Sequence, residues 1–174
     1  GRWQRPILHD PELIADADVL LIESTYGDRL HPPDPERRLV EIVHAVAEQR
    51  RTLIVPAFAV GRTQELVSML RDLEDRGRIP ILPVFVDSPM AIDVTGIHLR
   101  HPEEHDPLMR ATPRLATNDF RLVRAADESK ALNARRGPMI LISASGMATG
   151  GRVLHHLARR LPDPETMVLL AGFQ

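Results

Sequence analysis

Cysteine is absent from the 174 residues, which excludes disulfides and thiolate metal sites and leaves the redox compartment open. Aromatic residues make up only 3%, too few for a base-stacking platform, so any contact with nucleic acid must run through backbone phosphates. Lysine is nearly missing: of the 22 basic residues only Lys130 is lysine, and the rest are arginine. Guanidinium groups suit bidentate phosphate recognition, but a genome rich in G and C gives the same bias, and the genomic reading is favoured. No apolar run approaches the roughly 20 residues that cross a bilayer, and no signal peptide is expected ahead of the fold. A soluble, cytoplasmic protein with no membrane partner is the expectation. A formal net charge of −2 gives no overall pull toward a polyanion, so a nucleic-acid surface must be a local patch.

What is present suits a globular chain with one good core, or one domain plus part of another. Gly1 is not a methionine, and the strand-like run Thr166–Phe173 stops at Gln174, so the chain reads as a piece of a longer protein.

The apolar run Val19–Ile22 has the character of a buried strand and ends at Glu23-Ser-Thr-Tyr-Gly-Asp28. A carboxylate at the carboxyl end of a parallel strand is where open α/β sheets place chemistry. Taken alone, Glu23 reads more readily as the acceptor of the Ser24-Thr25 turn than as a catalytic group. His31-Pro-Pro-Asp-Pro35 is a rigid connector in which Asp34 caps a helix with Pro35 at its first position. Leu39, Ile42, Val43 and Val46 continue that helix to Arg51, with His44 on its surface or packed. Thr52–Val55 is the next strand. Leu66, Met69, Leu70 and Leu73 then mark a helix that stops near Gly77 and places Arg62 at a strand-to-helix junction.

Ile81–Val86 reads as a third strand, and Asp87, Ser88 and Pro89 as the start of a helix that runs to about Leu99. His98, His101 and His105 superficially resemble a metal cluster, but Pro102 breaks the helix that would align them, so a solvated acidic-basic turn is expected. Residues 106–118 read as irregular or short helical structure, Leu122–Arg124 as a short edge strand, and Asp127 as the start of a polar helix closed by Gly137. Met139–Ile142 is a buried strand that breaks into the small-residue loop Ser143–Gly151. The loop opens into a helix with Val153, Leu154, Leu157 and Leu161 on one side. The alternation predicts an α/β fold: a mostly parallel, Rossmann-like sheet with helices on both faces.

A strand, a tight glycine-bearing loop and a helix start form an anion-binding corner, because the unpaired amides of the first turn point at the ligand. The loop is nevertheless no known nucleotide motif. Gly151-Arg152-Val153 replaces the Gly-Lys-Ser/Thr of a triphosphate loop, the dinucleotide glycine spacing is missing, and Ser143-Ala-Ser-Gly146 lacks the Gly-x-Ser-x-Gly of a hydrolase elbow. His155 and His156 are adjacent on a helix, about 100° apart, and do not readily share a metal. The residues alone support a phosphate-friendly edge without a complete catalytic set.

Five stretches carry a resemblance. Glu23-Ser-Thr-Tyr-Gly-Asp-Arg29, Pro56-Ala-Phe-Ala-Val-Gly-Arg-Thr-Gln-Glu65, Asp87-Ser-Pro-Met-Ala91, Ser143–Arg152 and Leu169-Leu-Ala-Gly-Phe-Gln174, in this order, resemble the β-CASP family of metallo-β-lactamase-fold ribonucleases. The resemblance implies a two-domain enzyme in which two zinc ions activate a water on the RNA phosphodiester, and in which the β-CASP domain closes over the RNA as a lid. It implies residues 1–26 as a remnant of the metallo-β-lactamase domain and residues 27–174 as the β-CASP domain. It further implies Glu23 as the second-shell carboxylate of the first β-CASP motif, and RNA-phosphate contacts from Arg62, Ser143, Ser145, Gly146, Gly150, Gly151 and Arg152.

The family's His-x-His-x-Asp-His signature is missing from the sequence, so no metal site is expected within it, and this chain alone is expected to cut nothing. Its expected partners are RNA, the rest of the same protein, and a second copy through apolar surface at Val19–Ile22 and Val168–Leu170. The competing reading is a non-catalytic Rossmann-like domain that binds nucleic acid or a nucleotide.

Overall fold

The computed structural model describes Trp3, residues 6–28, Leu30 and residues 34–172. In chain order the elements are α1 (Pro35–Glu48), β1 (Thr52–Pro56), α2 (Arg62–Asp75), β2 (Val84–Asp87), α3 (Pro89–Arg100), a 3-10 turn (Pro102–Glu104), α4 (Pro107–Ala111), β3 (Phe120–Leu122), α5 (Ala126–Leu132), β4 (Met139–Ser143), α6 (Arg152–Arg160) and β5 (Thr166–Val168). The strands form one sheet in the order β3-β2-β4-β1-β5, and every pair is parallel. In the central pair Thr52 lies opposite Met139 and Pro56 opposite Ser143.

Helices cover both faces, and this is why β1 and β4 are continuously apolar rather than alternating. On one face Leu53, Val55, Val84, Val86, Ile140 and Ile142 pack against α1, α2 and α3 through residues such as Val43, Val46, Leu70 and Ala91. On the other, Phe85, Met139 and Leu141 meet Val123 and Leu132. The expected caps are in place. Asp34 accepts the Arg37 amide at 2.9 Å, and Ser88 Oγ accepts the Ala91 amide at 3.2 Å. At the end of α2 the Gly77 and Arg78 amides close back onto the carbonyls of Glu74 and Leu73.

Several expectations need correction. Val19–Ile22 is not a strand. It pairs with no strand of the sheet, and its side chains are exposed, Leu21 at 92%. The third strand starts at Val84 rather than Ile81, because Pro80 and Pro83 have no amide to give to a ladder. The buried face of α6 is Val153, His156 and Arg160, whereas Leu154 and Leu161 point to solvent. Pro102 does end α3, but the following turn is not fully solvated. His105 is buried, its ring stacks on His98 with centroids 6.1 Å apart, and Leu8 bridges its backbone. Arg29, the connector residues 31–33, and Phe173 and Gln174 of the last motif lie outside the described residues.

Arg160 ties three elements together. It is almost fully buried and donates to Thr52 Oγ1 of β1 at 3.2 Å, to the Leu132 carbonyl at the end of α5, and to the Arg135 carbonyl beyond it. Burial pulls its guanidinium below the ordinary arginine value. Arg160→Met should cost about 2–3 kcal/mol in urea unfolding, because two carbonyls lose charge-assisted donors. No helix among the described residues is long and apolar enough to cross a membrane.

Candidate functional site

The strand order sets the position of the site. The chain leaves β1 and β2 through α2 and α3 on one face, and leaves β4, which lies between them, through α6 on the other. Loops that diverge at the carboxyl ends of adjacent parallel strands open a crevice, the usual ligand position in such sheets. By the strand order, the crevice position here is the edge formed by loop 57–61, after β1, and loop 144–151, after β4.

These loops interlock. The Ala57 amide donates to the Ser143 carbonyl at 3.1 Å. Gly146 lies so close to the first loop that a Cβ there would be 2.7 Å from the Phe58 amide nitrogen and 2.8 Å from its ring. Gly151 has a φ of +73°, and a Cβ on it would meet the Ala144 carbonyl oxygen at 2.6 Å. Both positions therefore require glycine. Gly150 faces open space. Among the described residues, the amides of Thr149, Gly150 and Gly151 donate to no other group.

Arg62 is the first residue of α2, directly after Gly61, whose φ is +80°. Gln64 Oε1 accepts the Gly61 amide at 2.8 Å, and the Arg62 guanidinium, about one-third exposed, contacts Glu65 at 2.8 Å. Ser145 is half-buried on the loop, its amide directed at the Gly150 carbonyl. Ser143 and Arg152 turn inward. The Ser143 hydroxyl is buried and donates to the Asp87 carbonyl at 3.0 Å. Arg152 donates to Asp87 Oδ1 at 2.6 Å and to the carbonyls of Val123 and Arg124.

Asp87 is the residue that sequence reasoning missed. It is the last residue of β2 rather than a helix cap, and it is completely buried. Its Oδ2 accepts from Ser129 Oγ at 2.5 Å and lies 2.6 Å from His156 Nε2, while His156 Nδ1 is 2.9 Å from the Asn133 side chain. A carboxylate requires Nε2 to be the donor. The Asn133 amide can present either its N–H or its oxygen to Nδ1. Burial pushes the Asp87 carboxyl up, but hydrogen bonds from His156, Ser129 and Arg152 together outweigh it and hold the group below its ordinary value. The cluster joins β2, α5 and α6 directly beneath loop 144–151. The readable signals were a carboxylate closing an apolar strand, and polar residues at core spacing on α6.

Glu23 stands apart. It is exposed, and its Oε1 accepts the Thr25 amide at 2.6 Å. Hydrogen bonding to the Thr25 side chain, and then to its amide, holds the carboxyl below its ordinary value. Among the described residues no hydrogen bond or ion pair joins it to the crevice. No three His, Asp or Glu side chains among the described residues converge to hold a metal ion, so the donor set of a zinc centre does not fit within the described chain.

The comparisons agree with this architecture. A match to the Beta-Casp domain covers residues 63–174. Ribonuclease TTHA0252 of Thermus thermophilus is 37% identical over 181 aligned residues, covering 100% of this chain and 42% of that protein. An RNase J-like protein of Methanocaldococcus jannaschii is 33% identical over 165 residues, covering 92% of this chain and 38% of its own length. Transcription termination factor FttA of Pyrococcus abyssi is 29% identical over 168 residues, covering 90% and 26% respectively. The chain thus spans less than half the length of these curated relatives. By the span of the domain match, by its order of motifs and by its parallel α/β sheet, this chain belongs to the β-CASP family.

Proposed function

We propose that this chain is the RNA-holding lid of a zinc-dependent ribonuclease whose metal ligands lie on other parts of the same protein. The observation that carries the reading is the crevice itself. Two glycine-bearing loops interlock at the topological switch point, Arg62 opens α2 directly after the first of them, and the amides of Thr149, Gly150 and Gly151 in the second donate to no group among the described residues. Free amides and a guanidinium suit a phosphodiester, and the scarcity of aromatics argues against base stacking. The phosphate contacts are assigned to Arg62, Ser145 and the amides of residues 149–151. Gly146 sets the spacing of the loops. Ser143 and Arg152 hold the loop from below and shape the site indirectly.

Glu23 is proposed to acquire its orienting role only against the metal-bearing part of the protein, because within this chain it engages only Thr25. The exposed run Val19–Ile22 is proposed to pair there too.

The test is RNA cleavage by the full-length protein. Cleavage should be abolished by EDTA and restored by zinc, and Arg62→Ala should raise KM about tenfold with metal content unchanged. RNA binding without cleavage in the metal-loaded full-length protein would leave the non-catalytic binding domain as the correct reading. The relatives named as transcription termination factors favour transcription termination as one setting for such a lid.

A further inference from the structure

A second cationic surface lies away from the crevice. Helices α5 and α6 follow β3 and β4 and both start at the carboxyl edge of the sheet. Between them runs an open groove of about 570 Å³. Ala126 and Arg152 line its end at that edge, and Asn133 and Arg159 line the far end. From Arg152 to Arg159 the helix rises ~10 Å.

The chemistry of the lining is one-sided. Lys130, Arg152, His155 and Arg159 contribute to it, with Ser129 and Asn133, but no carboxylate and no Phe, Tyr or Trp ring does. This stands out in a chain that has more acidic than basic residues. Arg152 is neutralised by Asp87, so it contributes shape rather than free charge. His155 and Arg159 are exposed, and among the described residues neither makes an ion pair or a side-chain hydrogen bond. Lys130 sits 3.2 Å from Asp127, but both side chains are largely exposed, so solvent screens the pair and a phosphate can displace it. A groove that is cationic, open and without an acidic group or a large aromatic platform selects an extended anion by its backbone.

Resting on the RNA-holding reading above, we propose that the α5–α6 groove is a distal track for the phosphate backbone of single-stranded RNA, continuous with the crevice at the Arg152 end. Short RNA fills only the crevice. Longer RNA also lies along Lys130, His155 and Arg159.

The test uses the full-length protein in EDTA, with fluorescence anisotropy on labelled oligoribonucleotides of ~4 and ~20 nucleotides, lengths at the lower bound of and above the usual range of single-strand sites. The double variant Lys130→Glu/Arg159→Glu should weaken the longer RNA about tenfold. It should lower the salt slope by about 0.7 for each phosphate that is no longer neutralised, and leave the short RNA unchanged. Both residues are exposed, so an unchanged melting temperature should accompany the weaker binding. Equal affinity of variant and wild type for the longer RNA, or an equal weakening for both lengths, overturns the track alone. If the wild type binds neither length, the RNA-holding reading falls and takes the track with it.

Discussion

Asp87→Ala is expected to lower the unfolding free energy by about 3–5 kcal/mol, the cost of leaving a buried charge without its partner. In a domain of this size that is a fall of about 10 °C in melting temperature. The magnitude follows from what the carboxylate does. It is completely buried, and it receives Ser129, Arg152 and His156 at once. Removing it strands the Arg152 guanidinium with only two carbonyls, and leaves a hydroxyl and a ring N–H without an acceptor. Asp87→Asn keeps the volume but not the charge, and should cost about 2 kcal/mol.

The pH dependence has a definite sign. The folded carboxyl titrates below its unfolded value of about 4. Its stabilisation is therefore fully present above that unfolded value and is lost as pH falls through the lower, folded one. The difference between wild type and Asp87→Asn should be largest near neutrality and shrink in strong acid. Urea unfolding of both proteins across that range checks it. A difference that stays constant down to the most acidic folded sample would show that the charge of Asp87 does not contribute.

Asp87 also shows where the sequence stopped being informative. The strands 52–56 and 139–143 were legible because a short, uninterrupted apolar run has few alternatives to a strand covered on both sides. The first two helices were legible because caps and periodicity coincide at Asp34, Pro35 and Gly77. The run Val19–Ile22 has the same composition as a buried strand yet lies exposed, since hydrophobicity states that a segment prefers burial without stating against what. Asp87 and Ser88 both resemble helix caps, and only the three-dimensional packing of α5 and α6 shows that Ser88 takes the cap and Asp87 takes the charge. His156 and Arg160 were hidden for the same reason. Leucines at helical spacing suggested one face of α6, while the hydrogen-bonding needs of two polar residues buried another.

Of the glycines in loop 144–151, one should prove indispensable and another dispensable, and their contrast tests the crevice most directly. Gly146→Ala places a methyl group 2.7 Å from the Phe58 amide nitrogen, well inside contact distance. The Phe58 ring can rotate away, but the backbone nitrogen belongs to the turn that leads into α2, and that turn is held where Thr63 donates to the Phe58 carbonyl through both its amide and its hydroxyl at 3.2 and 2.8 Å. The two loops must therefore separate. A displacement of about 1 Å in groups that hold a substrate can cost about 100-fold in turnover, so RNA cleavage by the full-length protein should fall by that order while the sheet stays folded. Gly150→Ala is the control, because its Cβ would find no atom within 4 Å and its backbone is not left-handed. It should retain near-normal kinetics, provided the amide of residue 150 rather than its Cα faces the phosphate. Steady-state kinetics of the two variants, with melting curves to confirm folding, separate the outcomes. If Gly146→Ala cleaves RNA like the wild type, the interlock of the loops does not set the geometry of the site, and phosphate handling must be sought elsewhere on the carboxyl edge.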